Sequence, residues 1–286
     1  MIRYNTLNSG NRFVIYCDFE TLNTKHTCYP DLSKSSTTPT TKCEPCGYGY
    51  KVVCVDSRYT KPTVIFRGQH ASKHFFKALL SERAYIKDVL SRIEPLNMTE
   101  MDELSFKSTT KCHICDQLFT DEIVKERDHC HVSGKFRGAS CQSCNLNFKH
   151  PRFIPIICHG LTNFDSHIIC SPIGLFKKEN ISCIAKSTEK YISFSLGDFR
   201  FIDSYQCLSA PLESLVGFCA KDGGLKNFEL LKRETDKPHL LLRKGVYLYD
   251  YMDTFDRFDE TILPTQPSAF AMNLTFKQWE NIMIFI

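Results

Sequence analysis

The sequence has little that would carry a chain across or into a membrane. Its first residues, MIRYNTLNSGNRF, hold no apolar core of signal-peptide length. No apolar run anywhere approaches the length of a membrane-spanning helix. The expectation is an intracellular chain with no membrane partner. No internal repeat is visible, which sets aside solenoids and propellers. Neither sign of charge dominates: a net charge of +4 permits a nucleic-acid partner but does not argue for one.

Cysteine is what the sequence has in excess, with fifteen in 286 residues. With no route to an oxidising compartment, these thiols are expected to be reduced. Some are then metal ligands, and the rest are small core residues. The length suits one large domain or two small ones, with enough chain to bury a core.

Residues 13–19, FVIYCDF, read as a buried strand. Residues 24–46 are rich in Ser, Thr and Pro and read as a surface loop. YGYKVVCVD and KPTVIFRG alternate like two paired strands around SRYT. Apolar residues at helical spacing predict an amphipathic helix over 72–90. EPLNMTEMDELSFKSTT is a polar connector with a short helical patch. Beyond the cysteine-rich block, RFIPIICHGL returns to a buried strand and DSHIICSPIGLF opens a helix. KYISFSLGDFRFIDS predicts a hairpin turning at Leu196-Gly197-Asp198, and Leu212 and Leu215 start another helix. Past about residue 220 the pattern weakens. Strands mixed with helices imply an α/β or α+β core carrying an insertion at about 106–150.

Within that insertion, Cys112-x-x-Cys115 and Cys141-x-x-Cys144 are 25 residues apart. Each pair can clamp one side of a tetrahedral ion, and two pairs close a four-cysteine zinc site. His129 or His131 replacing one cysteine is the alternative ligand set. Cys130 has no CxxC partner and reads as a passenger. Cys43-x-x-Cys46 has no second pair near it; a second metal shared with Cys28 or Cys54 is the alternative to chance spacing. Between the two pairs, Asp128 and, beyond them, Asn145 offer oxygen ligands for magnesium. His129 could deprotonate a water for attack on phosphate. Lys125, Arg127, Lys135, Arg137 and Lys149 would meet a DNA backbone. The alternative is that all of these are solvated residues of a zinc loop, and the chemistry alone does not choose.

The pattern C-x2-C … RDHCH-x-SGK-x-RG … C-x2-CN resembles recombination endonuclease VII, a His-Me finger nuclease. The resemblance covers about forty residues. It implies structural zinc on Cys112, Cys115, Cys141 and Cys144, catalytic magnesium on Asp128 and Asn145, and His129 as general base. His131 matches a second histidine of that motif, while Cys130 stands where an aspartate is usual.

The flanks carry another chemistry. Asp18 and Glu20 lie at i and i+2 of a predicted strand, so both carboxylates leave one face and can share a metal. His159-Gly-Leu-Thr-Asn163-Phe164-Asp165 follows another predicted strand and adds a third carboxylate at a strand end. Three carboxylates around two divalent ions, magnesium or manganese, make most of an exonuclease centre. Thr21 and His159 could touch single-stranded DNA.

FVIYCDFE, IPIICHGLTNFDSHII, STEKYISFS, RFIDSY and LLLRKGVYLYDYMDTFDRFDETILP together resemble the amino-terminal exonuclease part of protein-primed family B DNA polymerases of Maverick/Polinton type. In that family an endonuclease VII-like module sits between the first two exonuclease motifs. The resemblance implies an incomplete RNase H-like exonuclease core in two parts, 1–105 and 151–265. Between them lies a zinc-bound ββα His-Me finger at 106–150, and a divergent tail follows at 266–286. It implies 3′–5′ exonuclease chemistry on Asp18, Glu20 and Asp165, with Thr21, His159, Lys135 and Arg137 contacting DNA, either single-stranded 3′ ends or branched duplex. A nuclear location follows if the source is a eukaryotic transposon. No small-molecule substrate is expected.

The sequence departs from that family at three places. Gly160 replaces the asparagine of the second motif, Tyr249-x3-Asp253 stands before the position of the true third motif, and no palm carboxylate motif is present. Asp250, Asp256 and Asp259 read as solvated acids; Lys186, Tyr191 and Asp203 match the family with no derivable role, and read as packing or capping residues. The expectation is a truncated or decayed exonuclease portion without polymerase activity. A zinc-supported endonuclease and a catalytically dead DNA-binding remnant are the alternatives.

Overall fold

The computed structural model describes residues 10–25, 41–148, 151–176, 179–187, 190–242, 244–245 and 251–261. Strand β1 (Phe13–Lys25) begins with strict alternation: Phe13, Ile15, Cys17 and Phe19 are buried, while Tyr16 and Asp18 are exposed. It pairs antiparallel with β2 (Thr41–Cys54), which pairs antiparallel with β3 (Val64–Arg67). Residues 41–46, expected in a loop, are therefore strand. Their composition is loop-like, but β1 runs on to Lys25 and supplies a partner along their whole length. Pro45 sits at the register break opposite Thr21, where a missing N–H interrupts no regular ladder.

Helix α1 (Ala71–Ser91) lies on the sheet through Phe75, Phe76, Leu79, Ile86 and Val89, spaced to share one face. The Phe75 ring meets Phe19, Tyr48, Tyr50 and Phe76 edge-on or tilted. Glu82 is also on that face; its charge is met by the Tyr50 hydroxyl at 3.0 Å and the Lys61 ammonium at 2.6 Å. Helix α2 (Glu100–Ser108) starts at a reciprocal cap between Thr99 and Asp102. The strands β4 (Lys125–His129) and β5 (Phe136–Cys141) form a separate hairpin, closed by helix α3 (Gln142–Asn147).

The chain then re-enters the main sheet as β6 (Ile154–Cys158), followed by α4 (Asp165–Cys170), β7 (Ile181–Ala185), β8 (Tyr191–Leu196) and β9 (Phe199–Asp203). The sheet order is β3-β2-β1-β6-β9-β8-β7. β1–β6 and β6–β9 are parallel and the other pairs are antiparallel. The fold is mixed α/β. Strand β7 was not anticipated: all five of its residues are exposed at the sheet edge, so no burial alternation marks it. Helices α5 (Leu212–Gly223) and α6 (Glu229–Glu234) follow. Asp256 and Asp259 are exposed. Tyr249, Asp250, Lys149 and the tail at 266–286 lie outside the described residues. Among the described residues, no helix is long and apolar enough to cross a membrane.

The hairpin module is fastened to the sheet body. Val132, from the loop between β4 and β5, is 3% exposed and belongs to the main core. Arg12 donates to Cys130 Sγ at 2.9 Å, Glu94 N–H to the His131 carbonyl at 2.7 Å, and Asn97 N–H to the Gly134 carbonyl at 2.8 Å. Cys130 stands outside the four-cysteine cluster, as its lack of a CxxC partner implied, and takes part in the docking contact. Gly134, at φ +71°, lets the loop press against Pro95, whose carbonyl oxygen would lie 2.4 Å from an added Cβ.

Phe75 is 0% exposed and joins the helix to three strand aromatics. Phe75→Ala is expected to lower the unfolding free energy by about 3–5 kcal/mol. Met101→Ala on exposed α2, at 72% exposure, should stay within about 0.5 kcal/mol. Urea unfolding followed by circular dichroism measures both; equal losses would contradict this packing.

Candidate metal centre

The two CxxC pairs arrive from different directions. Cys112 and Cys115 sit in a tight knuckle, closed by Cys112 N–H to the Gln117 carbonyl at 2.8 Å and Asp116 N–H to the Cys112 carbonyl at 2.9 Å. Asp116 takes the left-handed conformation this turn requires, φ +59°. Cys141 ends β5 and caps α3, and Cys144 lies one turn into that helix. Their four ligand atoms all lie within 4.8 Å of one another. Sulfurs about 2.3 Å from a tetrahedral zinc stand about 3.8 Å apart, and Cys115 and Cys141 Sγ are separated by 4.0 Å. The donor set could hold a zinc ion. Backbone N–H groups of Ile114 and Cys141 point at Cys112 Sγ at 3.4 and 3.3 Å. Burial alone would raise the Cys112 thiol, but the amides of Cys115, Cys141 and Ile114 outweigh it and bring it down to about 6. Among the described residues this is the one such cluster of His, Cys, Asp or Glu. Cys43 and Cys46, one exposed and one buried on β2, form no such cluster with the described residues, Cys54 included; Cys28 lies outside the described residues.

Next to the cluster stands Asp128, on β4 and only 1% exposed. His113, between the first two cysteines, donates from Nε2 to Asp128 Oδ2 at 2.9 Å, and Arg137 on β5 binds Oδ1. Burial pushes this carboxyl up, but the bonds from His113 and Arg137 overcome it and hold the group below its ordinary range. Asp128 is therefore a charged carboxylate. Each oxygen carries one donor, which leaves lone pairs for a hard cation. Asn145 is half-buried on α3, which packs on β4 and β5. An ionised carboxylate and an amide oxygen are donor types that magnesium takes. His129, next on β4, is half-buried, with its ring centroid 5.0 Å from that of exposed His131. Lys135 is exposed, and the Arg137 guanidinium stacks on Phe148 at 4.0 Å while it holds Asp128. Arg137 is thus a structural partner of Asp128 before it is a DNA contact.

On the main sheet, Asp18 and Glu20 share one face of β1, and Asp165 opens α4 just past β6. Asp165 is 5% exposed, and its pKa is raised to about 7 by burial first and then by the charges of Asp18, Asp203 and Glu20. Asp18 stands at the open side of this group, yet the protein around it limits its hydration and raises it; Phe19 N–H and His159 act in the opposite direction. Three of these four carboxylates were picked out in the sequence as candidate metal ligands. Asp203, the fourth, had no role derivable from the sequence beyond packing or capping, and in the fold it caps. It accepts from Gly160 N–H at 2.9 Å, Thr162 N–H at 3.0 Å, Thr162 Oγ1 at 2.6 Å and Tyr205 N–H at 2.9 Å. It thereby fixes the loop that delivers Asp165.

Thr21 and His159 are placed differently from the DNA contacts expected of them. Thr21 is 2% exposed, because the strand shifts register between Glu20 and Thr21 and turns Thr21 inward. Both ring nitrogens of His159 are engaged within the protein, with Ser204 Oγ at 2.9 Å and the Ala210 carbonyl at 3.0 Å. The residue missed in the sequence is His113. Its position inside a CxxC knuckle was legible, but its reach to Asp128 was not.

A family model described as Recombination endonuclease VII matches residues 89–153. The segment runs from the last turn of α1 to the edge of β6 and contains both cysteine pairs, Asp128, His129 and Asn145. The chain therefore carries a recombination endonuclease VII-like element, wider than the insertion read from the sequence. No curated protein and no solved structure gives a significant match to the chain. The comparisons lend no support to a family B polymerase relationship.

Two outcomes follow. Metal analysis of the purified chain should find about one zinc, lost in Cys112→Ser and Cys141→Ser; a zinc-free wild type would refute the cluster. Asp165, raised above its unfolded value, binds its proton more tightly when folded, so stability falls as pH rises from about 4 to 7. Asp165→Asn should therefore stabilise the chain at pH 8 by on the order of 2 kcal/mol, with the gain fading towards pH 4. A gain independent of pH, in denaturant melts across that window, would contradict the carboxylate crowding.

Proposed function

We propose that the chain is a zinc-braced DNA nuclease of the endonuclease VII type, with His129 as general base and Asp128 and Asn145 as the magnesium-holding pair. The observation that carries this reading is the charged, buried Asp128 directly before His129, beside four clustered cysteine sulfurs and inside the segment matched by the endonuclease VII family. Magnesium, when bound, would neutralise the phosphate and support the departing oxygen. The chain's own residues do the rest. An imidazole nitrogen of His129 takes the proton of the attacking water. His113 and Arg137 keep Asp128 ionised and fixed. Lys135, exposed on the hairpin loop, offers a cation to a DNA backbone, whereas Lys125 and Arg127 on β4 are engaged within the module, with the Phe106 carbonyl and with Glu103.

A second reading is the exonuclease part of a protein-primed family B DNA polymerase. The observation favouring it is the crowding of Asp18, Glu20 and Asp165 on a mixed sheet covered by α1, an arrangement compatible with an RNase H-like core. Divalent cations would relieve that crowding. In this reading 3′ ends of single-stranded DNA are the substrate, and Asp18→Ala removes any digestion.

The test uses the full chain, zinc-loaded, with branched duplex DNA and magnesium. Internal cleavage is expected, falling about 10²–10⁴-fold in His129→Ala with zinc content unchanged. Equal cutting by His129→Ala would overturn the assigned base. Salt-sensitive binding with no cutting by the wild type would leave a DNA-binding remnant. Digestion confined to 3′ ends and abolished by Asp18→Ala would favour the second reading.

A further inference from the structure

The zinc knuckle does more than brace the hairpin. Its second residue, His113, leaves the turn and reaches Asp128 Oδ2 at 2.9 Å, while its own backbone N–H is tied to the Ala139 carbonyl on β5 at 2.9 Å. β5 makes room for the ring: a Cβ at Gly138 would stand 2.8 Å from His113 Cγ and 2.9 Å from Cδ2. Asp128 pairs with Gly138 across the hairpin, so the glycine opposite the carboxylate is the one that admits the histidine. Arg137, the residue before Gly138, takes the other oxygen. Nothing in a four-cysteine site requires its intervening residue to contact the neighbouring strand.

We infer that His113 is a positioning residue through which zinc loading holds Asp128 in place. The consequence for a magnesium site at Asp128 rests on the function proposed above. When zinc closes the knuckle, Cys112 and Cys115 are fixed, and His113 between them is carried onto the carboxylate. When zinc leaves, the knuckle keeps its backbone hydrogen bonds but loses the sulfur tie to Cys141 and Cys144, and His113 is held less firmly on Asp128. The module's endonuclease-type site is then zinc-gated, although zinc touches none of its reacting atoms.

The experiment compares wild type, His113→Ala and His113→Gln as full-length chains, with zinc content, amide hydrogen exchange and manganese titration read in each. His113→Ala is expected to keep its zinc while exchange of the β4 amides around Asp128 speeds up about tenfold or more, the size of one hydrogen bond to a charged group. Manganese binding that depends on Asp128 should weaken about 10–100-fold. His113→Gln, which still offers an N–H, should recover most of both. Unchanged β4 exchange in zinc-loaded His113→Ala overturns the inference. So does loss of zinc from His113→Ala, since the histidine would then serve the knuckle and not the carboxylate. A wild type whose β4 exchange obeys the pattern, but whose manganese binding ignores Asp128→Asn, supports the coupling and removes the magnesium reading alone.

Discussion

Four thiols whose sulfurs lie within 4.8 Å of one another cannot all ionise without a cation between them. That constraint organises the module. It ties the knuckle to the end of β5 across 29 residues of chain, adding a second fixed point to a module whose own secondary structure is mainly a two-stranded hairpin and a six-residue helix. Once the knuckle is fixed, His113 has one direction to point, and Gly138 leaves space for it. Asp128 can then be buried and charged at once, because His113 and Arg137 meet its two oxygens.

The insertion sits where the topology tolerates it. β1 and β6 are parallel neighbours, so the chain must cross from one end of the sheet to the other between them. Helix α1 makes the cover, and the module lengthens a connection that any such pair needs. Lengthening a loop costs little closure entropy. Val132 in the core and Arg12 on Cys130 keep the module from being a free bead on that connection. The parallel register sets Ile157 beside Tyr16, so β6 ends level with the start of the Asp18–Glu20 segment, and the loop after it delivers Asp165 there.

Much of this was legible in the sequence where burial leaves a period. Phe13 to Phe19 alternate, α1 shows its apolar stripe, and Leu196-Gly197-Asp198 marks a hairpin; all three elements are present. Strand β7 is exposed on every residue and left no such mark, and residues 41–46 have a loop's composition but a strand's partner. The i, i+2 spacing of Asp18 and Glu20 survived intact, whereas Thr21, one residue further, was turned inward by a register shift that composition does not encode. The two CxxC pairs marked the cysteine cluster in the sequence, but spacing left His129 or His131 open as an alternative ligand, and it is the folded proximity of the four sulfurs that favours the all-cysteine set. His113, the Cys130–Arg12 contact and the loop clamp of Asp203 depend on distant partners brought together by folding, and single-sequence patterns do not carry that information.

The role of His129 depends on the composition of the metal shell, since a histidine ligand would take His129 or His131 out of the chemistry assigned to this loop. X-ray absorption at the zinc edge of the purified full chain reads that shell directly. Four sulfur scatterers at about 2.3 Å are predicted, with no imidazole contribution. A shell of three sulfurs and one nitrogen at about 2.0–2.1 Å would contradict the four-cysteine brace and the free His129 that the proposed nuclease requires.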